Sequence, residues 1–200
     1  MSMRVGIFLF ADVEALDFAG PYEVFTTANR VARKTGLALD DAFTVFSVAA
    51  SLKPVTLRAG MTVIPDFAFE HAPDIDVLIV PGGVVRAEML KPEVIAWIQR
   101  SSVQARLTAS VCTGAFLLAK ANVLVDHKVT THWDDIADLR QQFPRLHVVE
   151  NTRWVDEGNI VTSAGISAGI DMSLHLVETL SGRALAVATA RQMEFDWREH

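Results

Sequence analysis

Three short, mostly apolar runs limit what this chain can become: Val5-Gly6-Ile7-Phe8-Leu9-Phe10, Asp76-Val77-Leu78-Ile79-Val80 and Leu107-Thr108-Ala109-Ser110-Val111. Each has the length of a strand, and a strand that is apolar on both faces must be covered on both, the situation of a parallel strand inside an α/β sheet. Segments of helical periodicity lie between them. Residues 22–34 place Val24, Phe25, Ala28 and Val31 on one face, Pro21 suits the first position of that helix, and Gly36 suits its end. Residues 92–100 do the same with Val94, Ile95 and Ile98. Residues 43–49, 147–150, 153–156 and 160–163 read as further strands, 55–57 with 61–64 as a small hairpin, and 132–143, 165–180 and 184–195 as helices. The pattern predicts a three-layer α/β sandwich with a mostly parallel, flavodoxin-like sheet, formed by residues 1–200 as one domain.

The third run ends at a strand-to-helix joint. Val111 closes the strand, Cys112 stands at the turn, and Gly114-Ala115-Phe116-Leu117-Leu118-Ala119 opens a helix of small and apolar residues. A side chain at such a turn is lifted clear of the sheet and faces the positive end of the new helix, which favours a thiolate. The sharp backbone tolerates only small residues two positions to either side, as in the serine elbow of hydrolases, and Ser110 and Gly114 satisfy that. Position alone leaves Cys112 evenly divided between a nucleophile and a buried structural thiol.

Ligands of open α/β sheets bind beyond the carboxyl ends of the strands, where the strand order reverses. Asp17, Gly82 with Gly83, and Cys112 each follow one of the three strongest strands and should share one rim. Asp17, flanked by Leu16 and Phe18 in what reads as a loop over residues 12–21, is a carboxyl whose desolvation would raise its pKa toward neutrality. A helix-capping or turn role for it is equally open on sequence alone. Gly82 and Gly83 can leave backbone N–H groups unshielded beside the nucleophile, or simply form a turn. Glu23 reads as a first-turn helix acid and His132 as a residue near a helix start. Asp171 and His175, one helical turn apart, read as an intrahelical pair, since two ligands do not make a metal site. No cofactor and no metal are expected.

Composition excludes other classes. A net charge of -6 with no cluster of Lys and Arg argues against nucleic acid. No apolar run approaches the roughly 18 residues that span a bilayer, and the acidic residues Asp12, Glu14 and Asp17 are wrong for a signal peptide. One cysteine cannot form an internal disulfide, so a reducing cytoplasm is expected.

Five segments together resemble the DJ-1/PfpI superfamily, and look most like its isonitrile hydratase branch. They are Asp17-Phe18-Ala19-Gly20-Pro21-Tyr22-Glu23-Val24-Phe25, Val80-Pro81-Gly82-Gly83, Val111-Cys112-Thr113-Gly114-Ala115, Thr130-Thr131-His132-Trp133, and Thr162-Ser163-Ala164-Gly165-Ile166 with the residues up to Asp171. The resemblance implies that Cys112 is the functional thiol, that Asp17 hydrogen-bonds to it, and that Gly82 and Gly83 offer backbone donors near it. Protease-like members carry a histidine directly after the cysteine, where this chain has Thr113, so peptidase chemistry lacks its base. The combination of Asp17, Cys112 and Thr113 as catalytic residues is similar to the isonitrile hydratases, which implies addition of water to a small-molecule isonitrile to give an N-substituted formamide. A homodimer is also implied. Two other readings stand beside it. Similar domains form the amino-terminal half of AraC-type regulators, whose helix-turn-helix pair would have to follow His200, and oxidative-stress or glyoxalase-type members use the same cysteine.

Overall fold

The computed structural model describes residues 2–36 and 41–199. In chain order the elements are β1 (Met3–Phe8), α1 (Ala15–Thr35), β2 (Phe43–Ala49), β3 (Val55–Thr56), β4 (Thr62–Val63), β5 (Phe67–Ala68), β6 (Val77–Val80), α2 (Pro92–Gln104), β7 (Leu107–Val111) and α3 (Gly114–Lys120). They continue with β8 (Lys128–Val129), α4 (Ile136–Gln142), β9 (His147–Val148), β10 (Trp154–Asp156), β11 (Ile160–Ser163), α5 (Ala168–Ser181) and α6 (Arg183–Gln192).

Seven strands form one sheet in the order β10-β11-β7-β6-β1-β2-β5, and only β10 runs antiparallel to its neighbour. The sheet divides two apolar cores. Phe8, Phe46, Trp97, Leu117 and Leu139 fill the side covered by α2, α3 and α4, while Val24, Phe25, Met172, Leu176 and Leu185 fill the side covered by α1, α5 and α6. Alternate residues of β1 serve both: Val5 and Ile7 face one core and Phe8 the other, all essentially inaccessible to solvent. That double burial is why the runs read as nearly continuous apolar segments. The three-layer α/β expectation holds. The hairpin reading of residues 55–64 also holds, as the antiparallel pair β3–β4.

Helix α1 departs from expectation. It begins at Ala15, so Asp17 lies in its first turn rather than in a loop, and Pro21 sits inside it. An internal proline forfeits one i to i−4 bond. Here the lost bond would have gone to the Asp17 carbonyl, and Asp17 itself already donates its N–H to Glu14 O at 3.1 Å, so the helix carries the proline near its start. Gly36 ends it as expected, with φ 71°. Glu23 is therefore well inside the helix, bonded to Thr27 and Arg30, instead of capping its first turn. Among the described residues no helix is long and apolar enough to cross a membrane.

Order in the sheet places the site. β1 leads one way to β2 and the chain returns to the other side of β1 with β6 and β7, so the strand order reverses between β1 and β6. The segments leaving β1, β6 and β7 meet at that rim.

Candidate active site

Cys112 is held at a strained turn. Its φ is 56°, in the left-handed region that costs a non-glycine residue of order 1 kcal/mol or more. The backbone around it compensates: its N–H is shared between Ser163 O (3.2 Å) and Ala164 O (3.3 Å), and the Thr131 hydroxyl donates to its carbonyl at 2.8 Å. The elbow packs so closely on β6 that a Cβ added to Gly114 would lie 2.0 Å from Val80 O. The small-residue requirement read from the sequence is thus met at Gly114 by a backbone contact.

The three rim segments are stitched together. Val13 bridges Gly83, Glu14 N–H donates to Gly82 O at 2.9 Å, and Val84 N–H to Asp12 O at 3.0 Å. Thr113 closes the other side, its hydroxyl donating to Gly83 O and accepting from Gly83 N–H, both at 2.9 Å. Gly82 N–H donates to Asp17 Oδ2 at 3.1 Å. Both glycine amides are therefore already committed, and neither is a free donor beside the nucleophile as the sequence suggested. The glycines are needed for space instead. A Cβ on Gly82 would come within 2.5 Å of Thr113 N and 2.9 Å of Asp17 Oδ2.

Asp17 is fully buried, and its second oxygen, Oδ1, has no hydrogen-bond partner among the described residues. Burial lifts its pKa from the ordinary 3.8 to about 7 and Glu14 adds to the rise, while the Gly82 amide, the nearby Cys112 thiol and the Ile166 amide hold it down. Cys112 responds to the same surroundings. Burial pushes the thiol well above its usual range, the charge of Asp17 pushes it further and Asp135 adds to the rise, against the Thr113 amide, which favours the thiolate. The helix end does not make a resting thiolate, because desolvation outweighs it. Near neutrality the site therefore pairs a protonated thiol with a carboxyl whose pKa burial has lifted to about 7.

Other side chains fall outside this pair. His132 packs on Gly165, its Nδ1 accepting from the Asp134 amide (3.4 Å) and facing Asp135 Oδ2 (3.3 Å) across a single 3-10 turn. That is the structural role expected of it. Asp171 and His175 do not pair with each other. Asp171, fully buried, binds Arg153 and the Arg198 amide, whereas His175 binds Asp156 at 2.7 Å. Thr131 and Ile166 stand in segments that carry the family resemblance, but nothing in the sequence assigns either of them a role at the thiol. Ile166 has φ 52°, a conformation nothing in a β-branched residue announces, with only the preceding glycine as a hint. A cleft of about 720 Å³ reaches the residues that bond the Cys112 backbone, Thr131 and Ala164, and is lined also by Trp133, Arg153, Ile166 and Arg198, but neither Cys112 nor Asp17 lines it.

Residues 3–179 match the family model described as the DJ-1/PfpI family. The chain is 34% identical over 196 residues to an isonitrile hydratase of Pseudomonas putida, covering 98% of this chain and 79% of that one. It is 28% identical over 192 residues to the HTH-type transcriptional regulator GbdR of Pseudomonas aeruginosa, covering 84% of this chain and 52% of the regulator. The chain thus spans about half of that relative's length. A THiJ/PfpI family protein of Pseudomonas syringae superposes with a TM-score of 0.85 at 27% identity, over 98% of this chain and 76% of that one.

Proposed function

Since the chain belongs to the DJ-1/PfpI family, we propose that it is a cysteine-dependent hydratase converting a small isonitrile to an N-substituted formamide. One observation carries the reading: the Asp17 carboxyl, poised near neutrality with Oδ1 unbonded, adjoins the only cysteine at its strained elbow. That is a nucleophile with its own proton store. The similarity to an isonitrile hydratase over 98% of this chain supports the choice of electrophile.

The reaction needs no group beyond these and a water molecule. As sulfur attacks the isonitrile carbon, the thiol proton passes to Asp17, and Asp17 delivers it to that carbon, leaving a thioimidate on Cys112. Water then adds its hydroxyl to carbon and a proton to nitrogen. The carbon–sulfur bond breaks as the hydroxyl proton returns to sulfur through Asp17, releasing the formamide. The net change is addition of one water to the isonitrile.

Expected behaviour is formation of a formamide by the wild-type protein and loss of at least about a thousandfold in rate for Cys112→Ala, in line with removal of a covalent nucleophile. Glyoxals and simple amides belong in the same substrate panel. Lactate from methylglyoxal, with no formamide from any isonitrile, would move the assignment to the carbonyl class.

Similarity to GbdR over 84% of this chain supports a second reading, in which the domain senses a ligand within a regulator. There the small molecule would bind with equal affinity to wild type and Cys112→Ala and leave unchanged.

A further inference from the structure

We propose that Thr131 is a positioning residue for the nucleophile, its hydroxyl fixing the plane of the Cys112–Thr113 peptide. This rests on the reading of Cys112 as the reactive thiol, and on no particular substrate. The Thr131 hydroxyl donates to Cys112 O at 2.8 Å from a fully buried position, nineteen residues away in sequence. The other hydrogen bond to that carbonyl, from Ala115 N–H, is long at 3.5 Å. A peptide unit is planar and trans, so its carbonyl and its N–H point in opposite directions. Fixing Cys112 O therefore fixes the direction of the Thr113 N–H, an amide that favours the charged form of the thiol.

The need for such a restraint follows from the backbone. With φ at 56° Cys112 sits in a conformation that persists only where surrounding bonds over-determine it. Its N–H side is held by β11 and the residue after it, through Ser163 O and Ala164 O. On its carbonyl side Thr131 supplies the short bond. Without that hydroxyl the 112–113 peptide can rotate toward a relaxed conformation and carry the Thr113 dipole away from sulfur.

Thr130 provides a matched comparison. It is buried to the same degree, and its hydroxyl donates to Val149 O at 3.0 Å, also nineteen residues away, so that hydroxyl bonds outside the elbow. Losing either hydroxyl removes one buried hydrogen bond. Only the loss at Thr131 should reach the thiol.

The experiment is the rate of Cys112 alkylation by iodoacetamide as a function of pH, measured on the folded full chain for wild type, Thr131→Val, Thr131→Ser and Thr130→Val. The charged groups facing the thiol, Asp17 from α1 and Asp135 before α4, and those behind them, Glu14 and His132, stay the same in all four. Thr131→Val should alkylate roughly tenfold more slowly at neutral pH, its profile displaced upward by about one pH unit. Thr131→Ser should restore the wild-type profile and Thr130→Val should never lose it. If Thr131→Val does not fold, Thr131→Ala takes its place. A Thr131→Val profile that overlays wild type, or a displacement shared by Thr130→Val, would overturn the proposal. Because no isonitrile enters the assay, the result stands apart from whether the protein hydrates one.

Discussion

Asp17→Asn should make the protein more stable above neutral pH while removing most of its turnover. The sign follows from the pKa. Folding raises it from 3.8 to about 7, so the folded chain binds the proton more tightly than the unfolded chain does. Below 3.8 both states carry the proton and the group costs nothing. As pH climbs the penalty of a buried carboxylate builds, and above about 7 it is complete. At about 1.4 kcal/mol per pH unit the interval amounts to a ceiling of about 4 kcal/mol. Asparagine can still accept from the Gly82 N–H, but its amide must be housed beside Cys112, so the gain falls below that ceiling. The thermal midpoint of the variant should exceed wild type at about pH 8 and match it at about pH 4. Its turnover should fall by roughly two to four orders of magnitude, the usual contribution of a positioned acid and base. A variant no more stable than wild type at alkaline pH would show that burial does not set the charge state of Asp17.

Gly114→Ala should be the most damaging small substitution at the site. The new methyl would stand 2.0 Å from Val80 O, 2.9 Å from Val80 C and 3.0 Å from Pro81 C, all backbone atoms of the strand end that supplies Gly82. β6 cannot retreat, because it is paired on both sides, with β1 and β7. The elbow must open instead, and Cys112 leaves Asp17. A cost above about 3 kcal/mol is expected, in the range of severe overpacking. Gly158, in the turn between β10 and β11, is the comparison. Its φ of 88° strains any side chain, but nothing lies within 4 Å of an added Cβ, so Gly158→Ala should cost only about 1–2 kcal/mol. Urea midpoints measure both. Equal losses would mean that the elbow is not the tightly packed joint described above.

These two residues also mark how far the sequence could be read. The central strands were legible because β1, β6 and β7 are buried on both faces, and an apolar run of that length has few other uses. Their shared rim followed from the rule for parallel sheets, and Asp17, the Gly82–Gly83 turn and Cys112 do meet there. Two things were not legible. Pro21 suggested a helix start, but the first turn forms before it, because proline removes only its own N–H and the Asp17 N–H still bonds Glu14 O. The glycine amides looked free because a sequence shows flexible backbone and not the partners, here Asp17 Oδ2 and Thr113 Oγ1, that consume the donors. Charge state was hidden for the same reason. A helix start beside a cysteine argues for a thiolate, and only the surrounding burial reverses the balance. Asp171 and His175 show the limit of local spacing: one helical turn apart, they pair with Arg153 and Asp156 from the β10 hairpin.

In the proposed reaction the Cys112 sulfur bonds to the isonitrile carbon. The most direct measurement is rapid acid quench of wild-type protein during turnover of a simple alkyl isonitrile, followed by intact-mass and peptide mass spectrometry. The expected result is a species heavier by the full mass of the isonitrile, located on the peptide carrying Cys112, rising before the formamide and absent in Cys112→Ala. Formamide released at an unchanged rate by Cys112→Ala, with no adduct at any quench time in the wild type, would contradict it.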